Sequence, residues 1–216
     1  MNRYSLNQNF PPVVKNLIII NVLVWVAQLA LDPAYNFTSD IGLWPIGTAE
    51  FHPWQVITHM FAHAAYNSAG GIVLYHILFN MFGLWMFGRV LENLWGSKKF
   101  LIFYLICGLG AAALHLAVQY YTGSYSVAVG ASGAVYGILV GFAFLFPNTP
   151  LFLMFIPIPI KAKWAIIGIL VLDLIGGFSS ASGGSTGIAH AAHIGGAITG
   201  FLLVWYWHKK GKNFYR

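Results

Sequence analysis

Three polar clusters interrupt the apolar runs of this chain, and each offers side chains that acyl-transfer chemistry uses. Such a reaction needs a hydroxyl nucleophile, a base beside it, and N–H donors for the oxyanion of the tetrahedral intermediate. Packing between membrane helices is the alternative role for a serine among small residues. The three clusters are Ser132 in GASGAVYG, the pair His76 and Asn80 in HILFN, and the pair His190 and His193 in AHAAHIGG.

The composition places these clusters in a membrane protein. Of the 216 residues, 58% are hydrophobic and only 7% are charged, whereas soluble domains carry about a quarter charged residues. The single cysteine, Cys107, excludes an intramolecular disulfide and a cysteine-based metal site. The sequence holds no HExxH motif, so no metal or cofactor is expected. No small-residue cleavage site follows the first apolar run, so we predict no removable signal peptide.

Six apolar runs approach the roughly 20 residues that cross a bilayer. They predict an all-α, six-transmembrane-helix bundle that forms a single domain over 1–216. A further apolar stretch, 151–160, is too short to cross and contains two prolines, so we interpret it as a loop or the broken start of span five. The first outer connection, about 32–69, is long, aromatic and weakly charged, which predicts interfacial structure packed onto the bundle. The predicted spans are about 16–31, 70–88, 100–121, 127–146, 164–178 and 187–207.

The charges predict the orientation of these spans. All 11 Lys and Arg residues fall in the N-terminus, the 2–3 loop, the 4–5 loop and the C-terminus. This positive-inside pattern predicts that both termini are cytoplasmic. The net charge of +6 therefore reflects membrane orientation, and we expect the lipid bilayer, not nucleic acid, as the partner.

The three clusters are expected at one depth. Spans two, four and six all enter from the outside, and helix rise puts Ser132, His76 and His193 about 8–9 Å below their outer ends. Glycines four residues apart on span four form a ridge beside Ser132, and small residues continue the face of His193 on span six, so these spans can pack closely. The residues of the two ridges are Gly133, Gly137, Gly141, Gly196, Ala197 and Gly200.

By chemistry alone, either histidine of span six could be the base. His190 and His193 share one helix face, about 4.5 Å apart along the axis. Two physical arguments favour His193. The small residues on its face let the backbone approach span four, and its expected depth matches Ser132 better.

These motifs resemble those of the rhomboid intramembrane serine proteases, in their minimal six-span bacterial form, over about residues 15–207. In two places the sequence departs from that pattern. Gln55 stands where many members have arginine. The segment 64–75, between His63 and His76, is longer than in well-known members, so the resemblance does not fix the residue at which span two begins. The matching motifs are GASG with Gly137, AHIGG with Gly200, HILFN, WQVITHMFAH (54–63), and Gly88-Arg89 with Glu92.

The resemblance implies a Ser–His dyad with no carboxylate, in which Ser132 is the nucleophile and His193 the general base. It also implies an oxyanion hole formed by His76, Asn80 and the backbone N–H of Ser132. The supporting residues that it implies are Tyr136, which flanks the base, and the motif glycines Gly130 and Gly133.

Other polar residues are expected to lie outside the chemistry. Asp173, the only acid deep in a span, is interpreted as a neutral or hydrogen-bonded packing residue. We assign His59 and His63 to hydrogen bonding within the first outer loop. Interfacial or packing roles are expected for His52, His115 and His208.

The resemblance implies an endopeptidase of the bacterial cytoplasmic membrane that cleaves transmembrane protein substrates near the outer face. The glycines and serines of 178–187 suit a movable lid over the site. One alternative is a non-catalytic rhomboid-like protein that binds and escorts membrane spans, against which the intact Ser132 and His193 argue. The other is a small transporter that uses the intramembrane histidines and Asp173 as a proton path, but the sequence shows no inverted repeat.

Overall fold

The computed structural model describes residues 9–153, 156–181 and 189–211 and is mostly helical. Within that part of the chain, α1 and α6 are long and apolar enough to cross a membrane. The elements are α1 (Pro12–Tyr35), α2 (Phe37–Ile41), α3 (Gln55–Thr58), α4 (Tyr75–Gly83), a π-helical turn (Leu84–Gly88), α5 (Arg89–Trp95), α6 (Ser97–Thr122), α7 (Ser132–Leu145), β1 (Pro150–Leu153), β2 (Ile156–Lys161), α8 (Ala162–Ala181) and α9 (His190–Lys209).

Helix α7 lies at the centre and contacts α4, α5, α6, α8 and α9. Its packing against α9 depends on glycine, as the sequence predicts. A Cβ atom added to Gly200 would lie 2.6 Å from the Cα of Gly137, and one added to Gly196 would collide with the carbonyl of Gly133. The two backbones therefore touch along the ridge, and this contact holds the first turns of α7 and α9 side by side.

Large side chains of α6 fill the remaining space around α7. Phe100, Phe103 and Tyr104 are fully buried there, together with Ile138 of α7. Many outward-facing residues are also large and apolar, such as Leu172 of α8. Because lipid tails are as apolar as these side chains, the tight packing of the interior rather than exclusion from water holds such a core together.

Two of the expected spans begin later than predicted. The helical part of span two starts at Tyr75, and that of span four starts at Ser132. The residues before them are not helical: Tyr66 and Ile72 form an isolated bridge within the connection before α4, and Ala128 forms one with Leu43 of the first outer loop. The predicted depth of Ser132 assumed helix rise from residue 127 onward. That assumption was wrong, because the segment 127–131 is not helical.

The expectation of an all-α chain also needs correction. Strands β1 and β2 pair antiparallel, with Pro150 opposite Lys161 and Leu151 opposite Ile160, so the described residues of this stretch form neither a loop nor the start of span five. Each strand of a two-stranded sheet has a free edge, where proline removes no ladder hydrogen bond. The prolines that argue against a helix are therefore compatible with a strand.

Buried side chains fix the first outer loop to the bundle. Gln28 of α1 accepts a hydrogen bond from the backbone N–H of His63 over 2.9 Å and donates one to the same residue's carbonyl over 2.8 Å. Gln55 is fully buried, and its amide donates to the carbonyl of Glu50 over 2.8 Å. A neutral amide thus anchors the loop at the position where the resembling family often has arginine.

The carboxylate of Glu92 caps the N-terminus of α1. It accepts hydrogen bonds from the backbone N–H groups of Val13 over 2.9 Å and Val14 over 2.7 Å. The hydroxyl of Ser97 donates a third hydrogen bond over 2.6 Å. A helix N-terminus has unsatisfied N–H groups and a positive dipole end, so a carboxylate is well placed there.

Candidate active site

Ser132 and His193 are in direct contact. Ser132 is the first residue of α7, and His193 lies in the first turn of α9. The Oγ of Ser132 is 2.8 Å from the Nε2 of His193. The glycine contacts between the two helices allow this approach, so the structure brings together the pair that the sequence predicts.

The aromatic ring of Tyr136 lies flat on His193. The two ring centroids are 4.3 Å apart and the ring planes differ by 13°. Tyr136 is one turn after Ser132 on α7, so the same helix supplies both contacts to the imidazole. This stacking restricts the tilt of the imidazole ring and keeps its Nε2 edge directed at the serine.

A carboxylate completes the contacts of His193, which the sequence reasoning missed. The Oδ1 of Asp173, on α8, is 3.0 Å from the Nδ1 of His193. The same oxygen is 2.8 Å from the Nδ1 of His190. The expectation of a Ser–His pair without a carboxylate is therefore wrong for this structure, although Asp173 is hydrogen-bonded, as expected. The sequence signal was present, since Asp173 is the only acid deep in a span, but nothing local indicates which side of α8 faces α9.

Asp173, His190 and His193 also offer one potential metal-ligand atom each, all within 4.8 Å of one another. Two ligands of a tetrahedral zinc ion are about 3.4 Å apart, since each lies about 2.1 Å from the metal. The separations of 2.8 and 3.0 Å from Oδ1 to the two Nδ1 atoms are shorter than this. They suit hydrogen bonds between N–H donors and a shared acceptor.

His76 reaches the same region from α4. Gly130, two residues before Ser132, has a φ of 129°, which side chains disfavour. A Cβ atom there would lie 2.9 Å from the Nε2 of His76 and 3.5 Å from the Oγ of Ser132. The backbone N–H of Gly130 donates to the carbonyl of His59 over 2.9 Å, which holds this bend in place. Glycine at this position lets the His76 ring approach the serine.

Asn80 is buried, but its amide is engaged elsewhere. Its Nδ2 donates to the carbonyl of His76, one turn back, over 2.8 Å. Its Oδ1 has no hydrogen-bond partner in the part of the chain that the structure describes. The role of Asn80 as an oxyanion donor therefore stays a prediction.

A small pocket with room for about one water molecule lies beside Ser132. It is bounded by the first outer loop at His59, by α6 at Gly108 and Ala111, and by Ala192 of α9. Residues 178–181 of the predicted lid (178–187) belong to the end of α8, which extends to Ala181. Residues 182–187 of the lid lie outside the residues that the structure describes.

The sequence matches the model of the Rhomboid domain over residues 50–210. The chain belongs to the rhomboid family. As the family implies, it is an integral membrane protein.

Several named rhomboids are similar to this one. Rhomboid protease AarA of Providencia stuartii is 33% identical over 87% of this chain and 69% of its own length. The mitochondrial presenilin-associated rhomboid-like protein of Homo sapiens is 31% identical over 91% of this chain but only 48% of its own. Rhomboid protein 1 of Saccharomyces cerevisiae, also mitochondrial, is 31% identical over 61% of this chain and 38% of its own. This rhomboid thus spans less than half of those two mitochondrial relatives.

His59 and His63 of the first outer loop differ in their side-chain hydrogen bonding. The Nδ1–H of His59 donates to the carbonyl of Gln55 over 2.8 Å, as expected. The ring nitrogens of His63 have no hydrogen-bond partner within the described chain, so its predicted side-chain bonding is not found there. Its ring lies edge-on to that of His76, 5.1 Å between centroids. Burial lowers the pKa of His59 to about 4, and burial together with nearby His76 lowers the pKa of His63 to about 3.

Proposed function

We propose that this rhomboid is an intramembrane serine endopeptidase. In the mechanism, the Oγ of Ser132 attacks the scissile carbonyl while the Nε2 of His193 takes the hydroxyl proton. The same imidazolium then protonates the leaving amine, and water hydrolyses the acyl-enzyme. The observation that carries the proposal is the 2.8 Å contact between Oγ and Nε2. A relative named as a protease supports it.

The oxyanion of the tetrahedral intermediate would be stabilised by donors around the start of α7. The backbone N–H of Ser132 lies at a helix N-terminus, where N–H groups are unsatisfied and the dipole is positive. The Nε2 edge of His76 faces the same region across Gly130. Asn80 is the predicted third donor, and a rotation of its amide away from the carbonyl of His76 would supply it.

The proposed membrane arrangement has six spans, with both termini in the cytoplasm and the site near the outer face. The distribution of the basic residues supports the orientation. Exposed apolar faces on α1, α4, α8 and α9 support contact with lipid, for example at Leu23, Phe79, Leu172 and Leu202. Substrates would be transmembrane proteins of the same bilayer, which we propose is a bacterial cytoplasmic membrane.

Incubation with single-span membrane proteins tests this proposal. The full chain is purified in detergent, mixed with a panel of such substrates, and the cut sites are mapped by mass spectrometry. We expect cleavage by the wild type and none by Ser132→Ala, because alanine fits the same small-residue packing. A fluorophosphonate should label the wild type but not Ser132→Ala. Ser124→Ala, which removes an exposed hydroxyl in the connection before α7, is the control and should keep full activity.

Two results would contradict the proposal. Cleavage by Ser132→Ala at the wild-type rate would exclude Ser132 as the nucleophile. Stable binding of the substrates without cleavage by the wild type would instead favour the escort function.

A further inference from the structure

Asp173 is placed unlike an ordinary packing residue. It is 7% exposed, and both of its histidine partners are 9% exposed. All the hydrogen bonds that it makes to them use one oxygen, Oδ1, at 2.8 Å and 3.0 Å. A carboxylate without its proton can only accept, so each Nδ1 must carry a hydrogen to make these bonds.

This arrangement decides which tautomer His193 adopts. A neutral imidazole carries one hydrogen, and the hydrogen bond at one nitrogen selects where it lies. With the hydrogen on Nδ1, the lone pair is on Nε2, which faces the Oγ of Ser132 at 2.8 Å. In the other tautomer Nε2 would carry the hydrogen, and His193 could not take the proton of Ser132.

We propose that Asp173 is a positioning residue of the reaction, an inference that rests on the proposed serine-protease function. It holds His193 in the tautomer that leaves Nε2 free to act as a base, and its negative charge stabilises the imidazolium that forms next. It makes no contact with the reacting atoms. The proposed catalytic unit is therefore Ser132, His193 and Asp173, supported by His190.

His190 also holds the carboxylate in place. Its Nδ1–H donates to the same oxygen that His193 uses. Its ring fits against α8 at two glycines: a Cβ atom on Gly176 would lie 2.6 Å from the Cε1 of His190, and one on Gly177 would lie 3.2 Å from its Cβ. With two donors from α9, the oxygen of Asp173 is held in place across the α8–α9 contact.

The proton balance of the step is simple. The proton of Ser132 Oγ moves to Nε2 of His193 as the bond from Oγ to the carbonyl carbon forms. His193 then carries hydrogens on both nitrogens, and its Nδ1–H stays bonded to Asp173, which remains ionised. The Nε2 proton passes to the leaving amine as the C–N bond breaks. Asp173 therefore gains and loses no proton.

Substitutions of Asp173 in the full purified chain test this. Asp173→Asn keeps the shape but can present an N–H group to Nδ1, which favours the wrong tautomer. We expect its kcat to fall by about 10²-fold or more, with KM within about threefold of wild type. Asp173→Glu should recover part of kcat because it restores the carboxylate. Asp40→Asn, at an exposed acid on α2, is the matched control and should leave both constants unchanged.

Nitrogen-15 NMR of histidine-labelled protein gives a readout that does not depend on cleavage. The wild type should show His193 with its hydrogen on Nδ1, and Asp173→Asn should shift it to Nε2. A purely structural role would lower thermal stability in all variants without moving the tautomer. If Asp173→Asn fails to fold, the spectrum of Asp173→Glu takes its place, and a hydrogen on Nδ1 of His193 is expected there because the carboxylate is retained. In the wild type, a His193 hydrogen on Nε2 overturns the proposal.

The outcomes separate this inference from the proposed function. Full kcat for Asp173→Asn, with cleavage still lost in Ser132→Ala, overturns the role of Asp173 and leaves the serine mechanism intact. Cleavage that persists in Ser132→Ala overturns the serine mechanism itself.

Discussion

The backbone N–H of Ala64 donates a hydrogen bond to the Nδ1 of His76 over 3.1 Å. Nδ1 must then present its lone pair, so a neutral His76 carries its hydrogen on Nε2. This is the opposite tautomer to the one that the carboxylate of Asp173 sets in His193. Around Ser132, His193 therefore presents an acceptor nitrogen, as a base requires. His76 presents an N–H donor, as an oxyanion hole requires.

From this relationship we expect His76→Ala to slow cleavage without moving the cut site. Loss of one oxyanion donor costs about 10²–10³-fold in kcat. Asn80→Ala should cost less, because its amide already donates to the carbonyl of His76. Single-turnover kinetics on one substrate measure both. Wild-type rates for both variants would remove α4 from the mechanism.

The contact between α7 and α9 predicts a large effect of Gly196→Val. Any side chain at this position would collide with the carbonyl of Gly133, and backbone cannot yield as a flexible side chain can. We expect a lower yield of folded protein, a lower Tm and loss of fluorophosphonate labelling at Ser132. Gly168→Val is the control, because a Cβ atom there meets no neighbouring atom within 4 Å. Equal effects of the two substitutions would contradict the close helix packing.

The positions of the reactive groups along the chain could be predicted from the sequence because helix periodicity is local. Residues three or four apart share a face, which grouped His76 with Asn80 and His190 with His193. Small residues spaced four apart also indicated which helices touch. The pairing of Ser132 with His193 follows from these two patterns.

Contacts between distant segments could not be predicted in the same way. The segment 127–131 is apolar and was interpreted as part of a span, yet Ala128 pairs with Leu43, about 85 residues earlier in the sequence. The acceptor for His193 comes from α8, and no local pattern sets the rotation of α8 against α9. The strands at 150–153 and 156–161 were missed because apolar composition is common to short strands and helix segments.

Gln28 gives a test of how the first outer loop is held. Its side chain makes two reciprocal hydrogen bonds to the backbone of His63, both buried. Gln28→Leu leaves that N–H and that carbonyl unsatisfied, which costs about 1–3 kcal/mol for each buried group. We expect faster cleavage by added protease within 36–74 and lower activity. Gln119→Leu is the matched control, because Gln119 donates instead to the carbonyl of Ser126 in another connection and should leave the first loop protected.

The buried ring of His63 predicts that stability depends on pH. Burial, with His76 nearby, lowers its pKa to about 3 in the folded protein, whereas an unfolded histidine has a pKa of about 6.5. Below that value the unfolded state binds the proton and the folded state does not. Stability is therefore full above about pH 6.5 and falls by up to about 1.4 kcal/mol per pH unit per histidine as the pH decreases. His63→Leu removes this group, so the Tm of detergent-solubilised protein should fall less between pH 7.5 and 5 than in wild type. His52→Leu, at a partly exposed ring stacked on Trp54, is the control and should keep the wild-type slope. An unchanged slope in His63→Leu would show that His63 is not buried in its neutral form.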